Sequence, residues 1–360
     1  MSSKITMQQI ADSLGVSKFV VSKALAGKEG VSDATREKVI QAATKLGYFA
    51  QKNAYMKTVK HEQQPKTSRP GRQSVLVLMP NIRFQTQESL YWGRIVDGIS
   101  AKLEKDGYGM VIVSEQSVDS FVHFLNPSGI SGLIGVGEIS TSLLLEIHRL
   151  GLPLVLVDHE DPLIPSDTLF ANNFESVYRL TRHLIGIGHR KLAFAGSTDY
   201  SRSFYDRFLG FRSALEDEGL WDERGGGKEN ILIDVDGLRH EDAEEPVKQW
   251  LAKRLRTREL PTALVCANDM IAIGAVRAAQ SHGLNVPAEL SVAGFDNIED
   301  AAKLEPALTT VHVPKEALGR RAVERLLQRI DAKDEPAEKI LLACELMYRG
   351  TTSAVGRQSE

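Results

Sequence analysis

Cysteine and long apolar runs are scarce in this chain, and both absences restrict its class. Only Cys266 and Cys344 occur among 360 residues, each within an apolar stretch, so we expect buried, reduced thiols rather than a disulfide framework. No apolar run reaches the length of a transmembrane helix, and the first twenty residues lack the apolar core of a signal peptide. These features favour a cytoplasmic protein without a membrane partner and disfavour a secreted solute-binding protein.

Motifs for catalysis or cofactor binding are also missing. The chain contains no Gly-x-Ser-x-Gly elbow, no His-Glu-x-x-His zinc motif and no P-loop. The pairs Gly135-Val-Gly137 and Gly186-Ile-Gly188 do not complete a dinucleotide-binding fingerprint. Residues 158–161 include metal-ligand types, but consecutive side chains do not all point at one ion, so we expect a solvated loop. The sequence therefore predicts no enzyme active site, no cofactor and no metal.

Positive charge is concentrated at the N-terminus. The first 72 residues carry 13 Lys and Arg against 5 Asp and Glu, whereas the other 288 carry 31 against 42, for a net charge of −3. A chain of this length with 42% hydrophobic residues has room for more than one domain. We therefore expect a basic module that faces phosphate groups, joined to an acidic globular body.

The basic N-terminus has the pattern of two short helices joined by a tight turn. Apolar residues recur at helical spacing in both: Ile10, Ala11 and Leu14, then Val16, Val20, Val21, Ala24 and Leu25. Gly15 can adopt the positive φ that ends a helix, and Ser17 is placed to cap the next one. The pattern predicts a helix-turn-helix whose second helix can lie in a DNA major groove; an ordinary helical hairpin is the alternative.

A third helix and a polar connector follow. Ser32 is a suitable cap for a helix that ends at Gly47, which would complete a three-helix headpiece. From residue 51 to residue 73 the chain is rich in Gln, Lys, Asn and Thr. We expect a headpiece over residues 1–58, with a possible short hinge helix at 52–58, and a mobile linker over 59–73.

From Ser74 onward, short apolar runs alternate with amphipathic helical patterns. The runs are 74–79, 109–113, 132–136, 153–157, 191–195, 230–233, 263–266 and 290–295. The helical patterns are 88–106, 140–150, 173–187, 203–219, 243–258, 269–282 and 315–331. Non-alternating strands between helices predict parallel sheets covered on both faces. Because eight such units are too many for one compact sheet, the fold class is α/β, with two lobes over 74–360 and a ligand cleft at the carboxyl ends of their strands.

Short motifs also follow one another in a recognisable order from residue 5 to residue 352. They are Ile5-Thr-Met-Gln-Gln-Ile-Ala11 and Val21-Ser-Lys-Ala-Leu-Ala-Gly27, then Leu184–Gly196, Arg207–Arg212, Cys266–Met270, Leu290–Asp296 and Leu308–Val311. In this combination the chain resembles the lactose/galactose repressor family. The resemblance implies an operator-binding homodimer with a periplasmic-binding-protein-like (type I) core that senses a small molecule, usually a sugar. It implies a first lobe over about 74–165 and 312–331, and a second over about 166–311 and 336–352.

The resemblance also implies which headpiece residues contact DNA. Base contacts fall on Lys18, Phe19 and Lys23, and further contacts fall on Thr6, Ser17, Val20 and Ser22. Lys23 stands where the family more often has Arg, so a point charge replaces a fork that binds guanine. Phe19 has no group that hydrogen-bonds a base edge. It either packs on a thymine methyl or, like Val20, packs within the headpiece.

Family members usually have a hinge helix whose Leu pair wedges into the minor groove. The corresponding positions here are Ala54, Met56 and Lys57, with Lys57 at the wedge itself. Lysine does not intercalate, whereas Met56 would after a shift of register. A kinked minor groove and a looser, more mobile hinge are equal alternatives.

Three residues match the ligand-fixing set of the family: Arg207, Asn268 and Asp296. A guanidinium fork suits two adjacent hydroxyls or a carboxylate. Asn268 and Asp296 each follow an apolar strand, where cleft residues lie in open α/β sheets. The alternative for Asp296 is to cap the following helix, and the alternative for Asn268 is a turn residue before a helix that Asp269 caps.

Further cleft candidates are Tyr91, Trp92 and Asp158. Tyr91 and Trp92 either stack on a sugar face or belong to the core, and Asp158 follows the fourth apolar run. The sequence predicts a ligand-responsive transcriptional regulator, most simply a repressor of carbohydrate genes that binds a palindromic operator. A variant binds DNA better with its ligand. The alternatives from other classes are a solute-binding protein and a sugar-modifying enzyme.

Overall fold

The computed structural model describes residues 7–25, 35, 38–39, 73–79, 90–114, 129–221, 231–332 and 334–355. The chain divides into two compact units, Met1–Ser68 and Arg69–Glu360. No helix within those described stretches combines the length and apolar character that crossing a membrane requires.

The first unit contains the expected helix-turn-helix. Helix α1 spans Met7–Leu14 and helix α2 spans Lys18–Leu25. Gly15, at φ +65°, ends α1, and the Val16 amide donates to the Ala11 carbonyl at 3.1 Å, which closes a Schellman turn. Ser17 caps α2, since its Oγ accepts a hydrogen bond from the Val20 amide at 3.3 Å. The predicted turn and cap are therefore confirmed.

Little of the predicted third helix is described. Thr35, Lys38 and Val39 are helical, and Val39 is fully buried. The remainder of that helix, the hinge helix at 52–58 and the linker over 59–73, apart from its last residue, Gln73, lie outside the described residues.

In the described part of the second unit the strands form two six-stranded sheets. In chain order the strands are β1 Ser74–Leu78, β2 Gly109–Val113, β3 Ile130–Val136, β4 Leu154–Val157, β5 Asp167–Ala171, β6 Leu192–Ala195, β7 Leu232–Ile233, β8 Ala263–Cys266, β9 Ser291–Asp296, β10 Thr309–His312, β11 Lys339–Leu342 and β12 Glu345–Met347. The first sheet has the order β11-β5-β4-β3-β1-β2 and the second has β12-β10-β9-β8-β6-β7. All pairs are parallel except the antiparallel pair of β10 and β12. This confirms the α/β class and the two-lobed core.

Helices cover both sheets. They are α3 Leu90–Lys105, α4 Thr141–Arg149, α5 Asn173–Gly186, α6 Arg202–Asp217, α7 His240–Thr257, α8 Asp269–Ser281, α9 Glu299–Lys303 and α10 Lys315–Asp331. Helix α10 packs on α3 and on the first sheet, although it follows a strand of the second sheet. The chain thus crosses between the lobes after β5, between β10 and α10, and between β11 and β12.

Two strands lie in a different lobe from the one expected. Both β5 and β11 pair in the first sheet, so the expected boundary at residue 166 and the assignment of all of 336–352 to the second lobe are wrong. A buried ion cluster explains why a charged residue can begin β5. The Asp167 carboxylate accepts hydrogen bonds from Arg325 at 2.9 Å, from Arg329 at 2.7 Å and from the Glu338 amide at 2.8 Å. This cluster joins β5, α10 and the start of β11.

Candidate DNA interface and effector cleft

The beginning of α2 presents an exposed surface. Ser17, Lys18 and Phe19 are exposed, and 68% of the Phe19 residue surface is accessible. The alternative in which Phe19 packs within the headpiece is therefore wrong, because Val21 supplies the buried face of this helix. Val20 is half-buried and contributes to packing.

The other residues predicted to contact DNA lie partly or wholly outside the described residues. Ser22 and Lys23 lie in α2, but their side chains are outside the described set. Thr6, Ala54, Met56 and Lys57 lie outside it altogether. Their roles stay predictions.

We use the name interlobe cleft for the place where the carboxyl ends of β4, β8 and β9 meet helix α6. Arg207 lies in the second turn of α6 and is only 3% exposed. Its Nη1 donates to the Ala267 carbonyl at 2.6 Å, and its Nε donates to Asn173 Oδ1 at 2.8 Å. The guanidinium lies 3.8 Å from the centre of the Phe295 ring. These contacts hold the planar fork in one orientation, with Nη2 3.6 Å from Asp296 Oδ1.

Asp296 ends β9 in an unusual backbone conformation. Its φ is +113° and that of Asn297 is +52°, a region that side chains with a Cβ rarely adopt. The buried Oδ1 of Asp296 accepts no hydrogen bond from the part of the chain that the structure describes. Burial raises the pKa of Asp296 to about 6, against the attraction of Arg207 and Lys315. Asp296 does not cap α9, because that helix begins after Ile298.

Asn268, rather than Asp269, caps α8. Asn268 is itself the cap of α8, since its Oδ1 accepts a hydrogen bond from the Ile271 amide at 2.8 Å. Asp269 is fully buried and accepts hydrogen bonds from the Thr310 hydroxyl and, at 2.9 Å, from the Ile298 amide. Burial raises the pKa of Asp269 to about 8. The prediction that Asp269 caps α8 is therefore wrong, and the role of Asn268 in binding an effector stays a prediction.

Asp158 approaches the cleft from the first lobe. It follows β4 with a φ of +57°, and its carboxylate accepts a hydrogen bond from the Ser203 hydroxyl of α6. Ser203 in turn accepts a hydrogen bond from Asn173 Nδ2 at 3.0 Å. Burial raises the pKa of Asp158, although the Ser203 hydrogen bond opposes that shift. The chain of contacts from Asp158 through Ser203 and Asn173 to Arg207 therefore connects the two lobes.

The aromatic pair lies at the start of α3, in the first lobe. The rings of Tyr91 and Trp92 meet edge to face, with centroids 5.0 Å apart. Tyr91 is buried in the core, and its pKa is raised by burial and by the nearby carboxylates of Asp158 and Asp296. Trp92 is half-buried beside Gly137. The Tyr91 side chain thus belongs to the core, as one of the two alternatives predicted, and its neighbours Asp158 and Asp296 lie at the cleft.

Sequence reasoning missed several residues that build this site. Asn173 and Ser203 connect Arg207 to Asp158, as described above. Lys315, the first residue of α10, is 5% exposed and its Nζ donates to the carbonyls of Asp296 and Asn297. Burial lowers the pKa of Lys315, against the attraction of Asp296. A lysine at a helix start carries no sequence signal for this role, because the role depends on how the lobes pack.

Family models match both units of the chain. Residues 6–51 match the model described as bacterial regulatory proteins, lacI family, and residues 181–352 match a periplasmic binding protein-like domain. The HTH-type transcriptional repressor PurR of Erwinia tasmaniensis is 30% identical over 352 residues, with 96% of each chain covered. The chain belongs to the lacI family of bacterial regulatory proteins.

Solved structures of similar fold cover nearly the whole chain. A transcriptional regulator CelR–cellobiose complex has a TM-score of 0.68 and 22% identity, and covers 96% of this chain and 99% of its own. The lac repressor dimer bound to operator and the anti-inducer ONPF has a TM-score of 0.65 and 24% identity, covering 98% and 100%.

Membership of the lacI family defines the general activity. This lacI-family chain is a DNA-binding transcriptional regulator, with a helix-turn-helix headpiece and a periplasmic-binding-like core; its relatives are regulators rather than enzymes. No group of three or more His, Cys, Asp or Glu side chains suited to a metal ion occurs within the described stretches.

Proposed function

We propose that this regulator represses carbohydrate-utilisation genes, and that a sugar-type effector bound in the interlobe cleft changes its operator affinity. One observation carries the proposal: a fixed guanidinium, Arg207, faces the buried carboxylate of Asp296, with Asp158 nearby on the opposite lobe. Such a set offers both donors and acceptors to adjacent hydroxyl groups. A relative of the same fold is described as a cellobiose complex, which supports a saccharide.

Each cleft residue has a distinct part in this proposal. Arg207 donates to the effector, and Asp296 accepts through the oxygen that has no hydrogen bond within the described chain. Asp158 closes the site from the first lobe and exchanges its bond with Ser203 for one to the effector. Tyr91 and Trp92 supply the apolar wall, and Asn268 fixes the start of α8 behind the site.

For DNA binding, we propose a homodimer that places two headpieces on a palindromic operator in the cytoplasm. A helix-turn-helix dimer reads two half-sites about one helical turn apart. Ser17, Lys18, Phe19, Val20, Ser22 and Lys23 face the major groove, Thr6 contributes a further contact, and the segment with Ala54, Met56 and Lys57 lies along the minor groove. The lac repressor dimer bound to operator has the same fold, which supports this arrangement.

The effector acts by favouring one arrangement of the lobes over another. Contacts such as Asp158 with Ser203 cross the cleft, so a ligand that replaces them changes how the lobes are held. A coupling of about 1–3 kcal/mol is typical of such switches. The preferred arrangement decides whether the ligand weakens or strengthens operator binding.

A thermal-shift screen of neutral mono- and disaccharides tests the effector site. At least one sugar is expected to raise the melting temperature of the full-length chain, and Arg207→Lys and Asp296→Asn are each expected to reduce that shift. Lys18→Ala, in the headpiece, serves as the control and should keep it. If no saccharide shifts the melting temperature, or if the shift is unchanged in both cleft variants, the proposed site is wrong.

A further inference from the structure

Asn297, directly after the cleft residue Asp296, is hydrogen-bonded through its backbone and through its side chain. Its amide donates to the Thr310 hydroxyl at 3.4 Å, and its carbonyl accepts from Lys315 Nζ at 3.4 Å. Its φ of +52° lies in the left-handed region, which Asn adopts more readily than most residues that have a Cβ. Because the two residues are consecutive, the turn that Asn297 forms sets the direction of the Asp296 side chain.

The side-chain amide of Asn297 joins two neighbouring segments of the second sheet. Arg349, two residues beyond β12, donates from Nη2 to Asn297 Oδ1 at 2.7 Å. On the other side, Asn297 Nδ2 lies 3.0 Å from Nδ1 of His312, the last residue of β10. The next helix after β10 is α10 of the first lobe. The amide therefore lies where the chain crosses from one lobe to the other.

The chemistry of Arg349 fixes which way the Asn297 amide points. A guanidinium only donates hydrogen bonds, so the amide atom that faces it must be the oxygen. The amide nitrogen then faces His312 and donates to Nδ1. Nδ1 accepts this bond only while it carries no proton. His312 must therefore be neutral, with its proton on Nε2.

The surroundings of His312 favour this neutral form. Burial is the largest cause that lowers the pKa of His312, and the cations Lys315 and Arg349 lower it further. The carboxylates of Glu345 and Glu316 oppose the shift. Further charged groups lie around the turn and around Lys315: Asp269 on α8, Asp296 on β9, Glu299 on α9 and Arg94 on α3.

We propose that Asn297 is a positioning residue for effector binding: its side-chain amide, held between Arg349 and the unprotonated Nδ1 of His312, keeps Asp296 directed into the interlobe cleft. This role rests on the proposed function, because it requires an effector that Asp296 contacts. A proton on Nδ1 puts an N–H group opposite the N–H group of the amide, which breaks the bond and releases the turn. Effector binding should then weaken in acid through His312, in addition to any direct effect of Asp296.

The tautomer of His312 is measurable on the full-length chain without any sugar. With isotope-labelled histidine near neutral pH, the nitrogen chemical shifts should show an unprotonated Nδ1 and a protonated Nε2. The signal of His312 is assigned through its loss in His312→Asn. A proton on Nδ1 would overturn the proposal.

Sugar affinity tests the positioning role itself. The probes are cellobiose, D-ribose, D-glucose and D-galactose, and calorimetry near neutral pH measures whichever of them binds the native chain. Asn297→Gly keeps a residue that adopts positive φ but removes the amide, so it should bind that sugar about two- to tenfold more weakly, the range of one hydrogen bond. His312→Leu removes the acceptor and should show a similar loss. His312→Asn places an amide oxygen near the position of Nδ1 and should keep the native affinity.

The pH profile separates this role from a merely structural one. Between neutral pH and about pH 5, the native chain should lose at least about threefold more sugar affinity than His312→Asn, because only the native side chain takes up a proton there. Titration of Asp296 is common to both proteins and does not contribute to this difference. His148→Asn, at an exposed position of α4, is the control and should follow the native profile.

The outcomes distinguish this proposal from the proposed function. It is overturned if Asn297→Gly binds the sugar as tightly as the native chain, or if the native chain and His312→Asn lose affinity equally in acid. Variants at two positions are used, so one that fails to fold leaves the others to decide. If no sugar of the panel binds the native chain, the effector function fails and the positioning role fails with it, whereas a sugar that binds native and variant chains alike overturns the positioning role alone.

Discussion

Burial, rather than residue type, sets the protonation behaviour of the carboxylates in the interlobe cleft. Asp158, Asp269 and Asp296 all have raised pKa values, and burial is the largest cause for each. The neighbouring cations Arg207 and Lys315 oppose this effect at Asp296 without cancelling it. The pKa values of about 6 for Asp296 and about 8 for Asp269 place the titration of both carboxyl groups near neutral pH.

Asp296 allows a direct test of that titration. Its folded-state pKa of about 6 lies above the ordinary value of 3.8, so its contribution to stability is full below about pH 4 and is lost as pH rises through 6. Relative to Asp296→Asn, the native chain should lose on the order of 2 kcal/mol of unfolding free energy between pH 4 and pH 7. Urea unfolding of both proteins across this range measures the difference. If the difference in unfolding free energy between the two proteins stays constant from pH 4 to pH 7, Asp296 does not titrate in this range.

Lys315 stabilises the turn that follows β9. Lys315→Met removes the donor to the carbonyls of Asp296 and Asn297, and it removes a cation from beside a buried carboxylate. The expected loss of unfolding free energy is about 2–4 kcal/mol. Lys303→Met is the control, because Lys303 is exposed on α9, and it should change stability by no more than about 0.5 kcal/mol. Equal effects of the two variants would contradict the role given to Lys315.

At the scale of elements, the crossing of α3 and α10 depends on glycine. A Cβ at Gly98 would lie 2.2 Å from the Glu316 carbonyl oxygen, and one at Gly319 would lie 2.1 Å from that of Ile95. The two helix backbones therefore touch with no room for a side chain. This contact holds α10 in the first lobe, which in turn places Lys315 at the cleft.

Alanine substitutions on α3 test this crossing. Gly98→Ala should destabilise the chain by about 1–3 kcal/mol or more, because the obstacle is backbone rather than a movable side chain. Gly93→Ala on the same helix meets nothing within 4 Å and should be neutral or stabilising by about 0.5–1 kcal/mol. Thermal unfolding of the two variants gives the comparison. Equal effects of the two substitutions would show that the α10 backbone does not restrict the side chain at position 98.

Strands with a continuous apolar run were predictable from the sequence. Strands that begin with a charged residue or with buried Thr residues were not. The predicted bounds of α10, β2 and β8 match the structure, and those of β9 differ by one residue at each end. Strands β5, β10, β11 and β12 were missed. Asp167 begins β5 in a buried ion cluster, and β10 begins with Thr309 and Thr310, which are buried because Thr351 and Asp269 satisfy them. Those partners are distant in sequence, so no local pattern reveals them.

The same distinction applies to the cleft. Family motifs and strand ends mark three residues, which could therefore be predicted as residues of the effector cleft: Arg207, Asp296 and Asp158. That Asn268 rather than Asp269 caps α8 could not be predicted, since both residue types cap helices. Which one does so depends on where Thr310 and Ile298 lie in the folded chain.

In the molecule as a whole, the Asp167 cluster holds three elements of the first lobe together. It joins a strand, a helix and a returning strand through Arg325, Arg329 and the Glu338 amide. Burial would raise the pKa of Asp167, but hydrogen bonds from Arg329, Glu338 and Arg325 lower it overall. The folded state therefore favours the ionised carboxylate.

Removal of this carboxylate should leave Arg325 buried without its closest partner. Asp167→Ala is expected to cost about 3–5 kcal/mol of unfolding free energy near neutral pH. Because the folded-state pKa is lowered, the stability that Asp167 contributes is present above its unfolded-state pKa and lost as pH falls through the folded-state value. The difference in unfolding free energy between Asp167→Ala and the native chain should thus become smaller in acid. Urea unfolding of both proteins at pH 7 and at about pH 3 measures this difference. A difference in unfolding free energy that grows in acid would contradict the role given to Asp167.

We propose that effector binding in the cleft and DNA binding by the headpiece of this lacI-family regulator are coupled. The most direct measurement is the equilibrium affinity for a selected operator duplex, with and without a saturating concentration of a sugar that stabilises the chain. We expect the bound sugar to change operator affinity by at least about fivefold. We also expect Arg207→Lys to need a higher sugar concentration for the same change. An operator affinity that is identical with and without the bound sugar would contradict this coupling.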